Sequence, residues 1–330
     1  MSAASPTVLV TYLPKDAARA EILATLGDVA DVRFLADVPA SDRERVLRAA
    51  RAVMTYHPFR DLGEAELGRL ESCALIQCLT AGIDYLPLSR LPAQIPVAYN
   101  AGAFAEPMAE HVLAMALAGA KRLRGEHIEM QDGAFNQFVT TRQVAGATCG
   151  ILGYGETGRA VARLMRALDV RIQAVNRRGE TDEDVDFIGT LDDTARVISA
   201  SDFVVVTLSL TKRTVRLIDR AMLERFRPDA VLINVARGEI VDEDALYEHL
   251  RANPAFTACL DAWWVEPVRH GRFESRHDFL GLPNVIGSPH NSAMTEGSLA
   301  VAARRGAQNV RRLLTGETPR FIAGDDEKMN

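Results

Sequence analysis

Three polar residues stand immediately beyond apolar runs. Arg237 follows LINVA, Glu266 follows the run containing Leu260 and Asp261, and His290 follows NVIGSP. In an open α/β sheet the carboxyl ends of the strands border the ligand crevice. The three residue types form a chemical set. The planar fork of an arginine suits bidentate binding of a carboxylate. Histidine ordinarily titrates near neutrality, which suits it to give and take a proton. A carboxylate bonded to an imidazole holds the ring and favours its protonated form. Singly, each has a plain structural reading: a surface arginine, a solvated acid, a helix-entry histidine. Their joint placement points to chemistry.

A second motif names the co-reactant. In ATCGILGYGETGRAVARLMRALDVRIQAVNRR (147–178) an apolar run ends at Leu152, and Gly153, Gly155 and Gly158 follow as G-x-G-x-x-G. Arg159 to Leu168 has helical spacing, and Val170 to Val175 is a second apolar run. Between strand and helix these glycines allow a tight turn, close approach of a pyrophosphate, and close packing of helix on strand. The helix N-terminus then offers N–H groups and partial positive charge to phosphate. A dinucleotide site is therefore expected at Gly153, Tyr154, Gly155, Glu156, Thr157 and Gly158, with Thr207 and Val235 contributing from later strand ends. Beyond its cofactor, an enzyme moving a hydride to or from a 2-hydroxy acid needs a cation for the carboxylate, a proton donor or acceptor and a group that tunes it, and Arg237, His290 and Glu266 are of those types.

The second strand also bears on which cofactor. An acid about 20 residues after the glycine turn normally binds the ribose hydroxyls of NAD. Here Asn176, Arg177, Arg178 and Gly179 occupy that place, and the nearest acid is Glu180. Asparagine does not repel a 2′-phosphate, and arginines can bind one. NADP(H) is expected in preference to NAD(H).

These residues need a scaffold, and the chain is long enough for two domains, at 330 residues. A hydrophobic content of 48% with 25% charge is that of an ordinary globular protein. Net charge is −6, with no basic tail, which argues against nucleic acid and anionic membrane as partners. Cys73, Cys78, Cys149 and Cys259 sit in apolar surroundings and read as reduced thiols. The N-terminal stretch lacks the form of a signal peptide, and residues 107–120 are too short to span a membrane. The expected location is cytoplasmic. No His/Cys cluster has metal-ligand spacing, so no metal is expected.

Strand and helix patterns alternate, which signals parallel sheets with crossovers. The first hundred residues read as strand 7–13, helix 15–26, strand 32–35, helix 43–50, strand 52–56, helix 64–71, strand 74–79 and strand IPVAYN. A long apolar helix over 106–123 and a polar stretch over 125–143 precede the dinucleotide motif. Strands FVVVTLSL, VLINVA, FTACLDAWW and 282–287 follow it, then a final helix over 294–314 and a polar, disordered tail. The expected fold is α/β, with two Rossmann-like or flavodoxin-like domains and the active site in the interdomain cleft. Residues 1–100 plus 294–330 form the substrate domain, and 101–293 the dinucleotide-binding domain. Two chain crossings, near Ala101 and Ser292, make a hinge for closure.

The motifs resemble those of the D-isomer-specific 2-hydroxyacid dehydrogenases. NAGAFAEPMAEHVLAMALAGAKR is similar to that family's hinge and long helix, GYGETG to its dinucleotide turn, LINVARGEIVDEDALYEHL and CLDAWWVEP to its later signatures, and LPNVIGSPH to its histidine segment. They cover most of residues 75–315, in the family's order. The resemblance implies that Arg237 binds the substrate carboxylate and that His290 is the general acid/base, with Glu266 as its partner. It implies that Asp261 faces the nicotinamide carboxamide and that the Ala81–Gly82 backbone holds the carboxylate. It further implies a homodimer through helix 106–123. Formate dehydrogenases of the superfamily resemble the same motifs with Gln at the place of Glu266, so this residue argues against formate. Asn291-Ser292-Ala293-Met294 and Ser209 depart from the usual pattern. Phe104 and Trp264 are expected in the core, His111 in a structural role, and His57 in an exposed loop or lining the cleft. His127, His249, His270 and His277 are expected to face solvent. Two rival readings use the same features: a dinucleotide-sensing, corepressor-like binding protein, and a dehydrogenase of another small anion such as phosphite.

Overall fold

The computed structural model describes residues 5–324. The chain begins with β1 (Thr7–Val10), α1 (Asp16–Leu26), β2 (Asp31–Phe34), α2 (Ala40–Ala49), β3 (Ala50–Thr55), α3 (Pro58–Asp61), α4 (Glu64–Leu67), β4 (Ile76–Cys78) and β5 (Val97–Ala98). It continues with α5 (Ala105–Ala120), α6 (Leu123–Gln131), β6 (Thr148–Leu152), α7 (Glu156–Arg166), β7 (Arg171–Val175), β8 (Phe187–Gly189), α8 (Thr194–Ser199) and β9 (Phe203–Val206). Last come α9 (Arg220–Leu223), β10 (Val231–Asn234), α10 (Glu243–Ala252), β11 (Thr257–Leu260), α11 (Pro267–His270), β12 (Val285–Gly287) and α12 (Ser298–Leu314). The chain divides into two compact units. One reaches Phe104 and resumes at Met294; the other is Ala105–Ala293.

The first unit is built on a five-stranded parallel sheet in the order β2-β1-β3-β4-β5, the flavodoxin-like arrangement. Alternate residues of a strand point to opposite faces, so both faces of a buried strand must be apolar. Val8 and Val10 of β1 pack with Ile22 and Leu26 of α1 and with Ala303, Ala307 and Val310 of α12. Leu9, between them, packs on the other face with Leu47, Leu62 and Ile76. Each such valine, leucine or isoleucine contributes about 1.5–3 kcal/mol by leaving water. The buried amides of α12 and β4 pair with each other: Asn309 Nδ2 donates to Gln77 Oε1 at 2.6 Å.

The second unit carries a seven-stranded parallel sheet, ordered β12-β11-β10-β9-β6-β7-β8. From β6 the chain builds outward through β7 and β8, then returns to β9 on the other side. That reversal is the switch point at which open α/β sheets bind ligands. One face is covered by α5 and α7, whose Ala109, Val112, Val161 and Met165 pack over Cys149, Ile151, Val205 and Ile233.

Several boundaries differ from the sequence reading for identifiable reasons. The helix expected over 106–123 ends at Ala120; Arg122 takes a left-handed backbone, φ 51°, and a second helix, α6, starts at Leu123 and runs into the stretch read as polar. The last strand begins at Val285 rather than 282, because Pro283 has no N–H for a ladder. The final helix begins at Ser298, after the left-handed Gly297. Strand β8 is absent from the sequence reading. The polar tail expected to be disordered lies, from residue 325, outside the described residues. All four cysteines are buried free thiols, and burial pushes that of Cys78 up to about 12. Among the described residues no helix is long and apolar enough to cross a membrane, and no group of three or more His, Cys, Asp and Glu is placed to hold a metal ion.

Candidate active site

Strands β10, β11 and β12 lie side by side with Asn234, Leu260 and Gly287 in register at their carboxyl ends. Arg237, Glu266 and His290 extend from these ends. Asn234 shapes the first loop: its Nδ2 donates to the Arg237 carbonyl at 2.8 Å and its Oδ1 accepts the Ala236 N–H at 3.0 Å. Arg237 is half-buried and donates from Nη1 to the Ala236 carbonyl at 2.7 Å. Glu266 is buried, and Trp263 N–H donates to its Oε1 at 2.8 Å. His290 Nδ1 lies 2.8 Å from both oxygens of Glu266, so the ring is held by a two-sided carboxylate contact. Burial pushes the Glu266 carboxyl up; the hydrogen bond and charge of His290, the Trp263 N–H and the Arg237 charge more than offset that and hold it below the usual carboxylate range. A carboxylate locked on Nδ1 leaves Nε2 as the ring atom for proton exchange with a substrate.

The glycine turn is formed as its spacing implies. Gly153 has φ 109°, and a Cβ there would meet the backbone of Thr207 and Leu208 at 2.7 Å. A Cβ on Gly158 would meet the Gly153 carbonyl oxygen at 2.5 Å, so α7 packs on the turn only with glycine at that position. At Gly155, by contrast, a Cβ would meet nothing within 4 Å, which is the open approach a pyrophosphate needs. Thr157 and Gly158 stand in the first turn of α7, where backbone N–H groups precede the first helical carbonyls. This cradle fits a dinucleotide.

The other expected cofactor residues make contacts within the protein. Tyr154 is buried; its N–H donates to the Val175 carbonyl at 2.8 Å and its hydroxyl to Glu183 at 2.6 Å. Thr207 Oγ1 donates to the Gly153 carbonyl at 2.8 Å and braces the turn. Val235 packs in the core. Asn176 does not reach outward: Oδ1 accepts the N–H groups of Arg178 and Gly179 at 2.9 and 2.7 Å, and Nδ2 donates to the Glu180 carbonyl at 2.9 Å. The turn so formed presents Arg177 and Arg178 as exposed residues, with Arg178 3.6 Å from Glu180. Asp261, expected to face the nicotinamide, is fully buried and engaged by Ser288, Asn291 and Ser292. In the other unit Ala81 and Gly82 follow β4, with Ala81 exposed.

The remaining histidines and aromatics divide sharply. His57 is half-buried, caps α3 by accepting Arg60 N–H at 3.2 Å, and burial lowers its pKa. His249 was expected in solvent, yet it is half-buried edge-on to Phe256, 4.7 Å between centroids. His277, also expected in solvent, stacks on Tyr247 at 4.3 Å and pairs with Asp244 at 2.7 Å. His127 and His270 are exposed. Phe104 is buried, and Trp264 stacks on Phe279 while its indole N–H donates to the Val241 carbonyl at 2.8 Å. Sequence reasoning missed Ser288 and Trp263 and left His111 without a partner. Only the S-P-H triplet hinted at the first.

A switch-point glycine turn, with a histidine–carboxylate pair and an arginine on neighbouring strand ends, defines a nicotinamide-dependent dehydrogenase. Residues 113–292 match the family model described as D-isomer specific 2-hydroxyacid dehydrogenase, NAD binding domain. The chain belongs to that family and is a 2-hydroxyacid dehydrogenase. It is 27% identical over 289 residues to glyoxylate reductase/hydroxypyruvate reductase of Homo sapiens, covering 85% of this chain and 86% of that one. It is 34% identical over 218 residues to glyoxylate/hydroxypyruvate reductase B of Pectobacterium carotovorum, covering 64% and 66%. Among solved structures, the D-isomer specific 2-hydroxyacid dehydrogenase of Xanthobacter autotrophicus Py2, in complex with NADPH and MES, is similar with TM-score 0.78 and 25% identity over 98% of each chain.

Proposed function

We propose that this chain reduces a small 2-oxo acid to the D-2-hydroxy acid, with His290 as general acid, Glu266 as its partner and Arg237 as the carboxylate-binding cation. The observation that carries the reading is the 2.8 Å contact of His290 Nδ1 with both Glu266 oxygens, beside the strand end bearing Arg237. Bound nicotinamide supplies the hydride. Arg237 orients the substrate carboxylate and draws electron density toward the carbonyl oxygen. His290 gives that oxygen its proton from Nε2, and Glu266 stabilises the protonated ring beforehand. In the oxidative direction the same ring accepts the proton. The unit Ala105–Ala293 is assigned to the dinucleotide and the other unit to the substrate. The buried thiols suit a reducing, cytoplasmic compartment.

NADP(H) is proposed as the favoured cofactor, supported by the exposed Arg177 and Arg178 and by a neutral side chain at Asn176. A homodimer is proposed as well. The buried face of α5 (Ala109, Val112, Met115, Ala116) is spent inside its own unit, so the contact shifts from the expected 106–123 helix toward α6 and the residues after it. There Leu123, Met130, Phe135 and Phe138 are 57–85% exposed. Light scattering at micromolar concentration should give a dimeric mass; a monomeric mass rejects the assembly.

The names of the relatives make glyoxylate and hydroxypyruvate the first substrates to offer, followed by pyruvate, bulkier 2-oxo acids, phosphite and formate. Loss of reduced-nicotinamide absorbance is expected with a 2-oxo acid, and His290→Ala should slow it by ~10²–10⁴-fold. Turnover near the wild-type rate in His290→Ala rejects the reading.

A further inference from the structure

We propose that Ser288 and His111 are positioning residues for His290, acting through a hydrogen-bonded chain that runs from α5 to the backbone around the proposed proton donor. The inference rests on the role given to His290 above. His290 has φ 51°, in the left-handed region that non-glycine residues enter at a cost and keep only when their surroundings fix them. Glu266 holds the ring and does not hold the backbone. Asp261 does: its Oδ1 accepts the Asn291 N–H at 3.1 Å and its Oδ2 the Ser292 N–H at 3.1 Å. On the other side of His290, the Ser288 hydroxyl donates to Asp261 Oδ1 at 2.6 Å. One buried carboxylate thus grips the segment before and after the histidine.

The chain continues outward. His111 Nε2 lies 3.0 Å from Ser288 Oγ. The serine proton is committed to Asp261, so His111 must be the donor, through Nε2–H. The same nitrogen is 3.9 Å from Asp261 Oδ1, so any positive charge on this ring also favours the ionised carboxylate. Trp263 fixes the remaining freedom, its indole N–H donating to the Ser288 carbonyl at 2.8 Å. Removing the Ser288 hydroxyl takes a donor from a fully buried carboxylate and severs α5 from the histidine segment in one change. Removing the His111 donor loosens the same link at its far end.

The test is steady-state reduction of glyoxylate by NADPH with the full-length chain. Ser288→Ala should lower kcat about 10-fold or more while KM for NADPH stays within about 2-fold, since small misplacements of a reacting group cost rate rather than coenzyme binding. Ser288→Thr keeps the hydroxyl and should restore kcat to within about 3-fold of wild type. His111→Leu should lower kcat in the same direction, and the double variant should be no slower than Ser288→Ala, because the two residues act through one chain. Wild-type kcat in Ser288→Ala, equal losses in the alanine and threonine variants, or additive losses in the double variant each overturn the proposal. If Ser288→Ala does not fold, His111→Leu against His111→Gln, which keeps an N–H donor, makes the same comparison. Failure of the underlying role appears separately, as retained turnover in His290→Ala.

Discussion

Replacing Glu266 by Gln isolates one negative charge at constant shape. In the native site that charge faces His290 Nδ1 at 2.8 Å from each oxygen and accepts the Trp263 N–H at 2.8 Å. The glutamine amide can keep one acceptor on one of these donors and offers the imidazolium no charge. A hydrogen bond to a charged group contributes about 1.5–3 kcal/mol. Loss of that stabilisation where the ring must be protonated predicts a fall of roughly 10- to 150-fold in the rate of 2-oxo acid reduction at neutral pH. In the proposed mechanism reduction draws its proton from His290, whose ring the Glu266 carboxylate faces. In Glu266→Gln reduction of the 2-oxo acid should therefore slow more than oxidation of the 2-hydroxy acid. The assay is kcat/KM for both directions across pH, wild type against variant. An unchanged rate in both directions removes Glu266 from the relay. Stability supplies a second reading. The Glu266 carboxyl is held below the usual carboxylate range, so its contribution is present above that range and is lost as pH falls through the lowered value. The Tm difference between wild type and Glu266→Gln should accordingly shrink with acidification below pH ~4.

Three further outcomes follow from the geometry. Gly158→Ala places a Cβ 2.5 Å from a backbone oxygen that cannot rotate away, so it should weaken coenzyme binding by about 10-fold or more or cost about 1–3 kcal/mol of stability; calorimetric titration and thermal melts that both match wild type would refute the packing argument. Arg237→Ala should raise KM for the oxo acid and lower kcat, leaving the coenzyme Kd within about 2-fold; an unchanged kcat/KM removes Arg237 from the site. Asn176→Asp keeps the acceptor that caps the turn and adds a charge, so the ratio of kcat/KM for NADPH over NADH should fall about 10-fold; a wild type that prefers NADH, or a ratio that does not move, sinks the NADP(H) proposal.

What the sequence made legible was the chemistry that demands particular residue types at strand ends. The glycines at 153 and 158 are legible because no other residue fits a positive φ or a contact of 2.5 Å, and that constraint leaves a fixed spacing. Arg237, Glu266 and His290 are legible because an apolar strand precedes each. The support beneath them is not local. His111 meets Ser288 from 177 positions away, and only the fold brings them together. Asp261 and Asn176 are expected at the cofactor from their place in the motifs, and the fold adds contacts the motifs do not show: both side chains accept nearby backbone N–H groups. His249 and His277 sit in polar segments and still lose water, because Phe256 and Tyr247 cover them. Periodicity shows a residue's own face and says nothing of the ring that will lie against it.

The discontinuous unit has a consequence for biosynthesis. Its sheet and α1 are made within the first 104 residues, but Ala303, Ala307 and Val310, which cover Val8, Val10 and Ile22, belong to α12. Between them the ribosome must add about 190 residues, which takes on the order of 10–40 s at typical elongation rates. Throughout that interval the nascent chain carries an uncovered apolar face, while the contiguous unit Ala105–Ala293 has all its strands in hand and can close first. The later half of the message thus completes the earlier half's core, and a chain terminated before Ser298 would leave a finished dinucleotide unit tethered to an aggregation-prone half-domain.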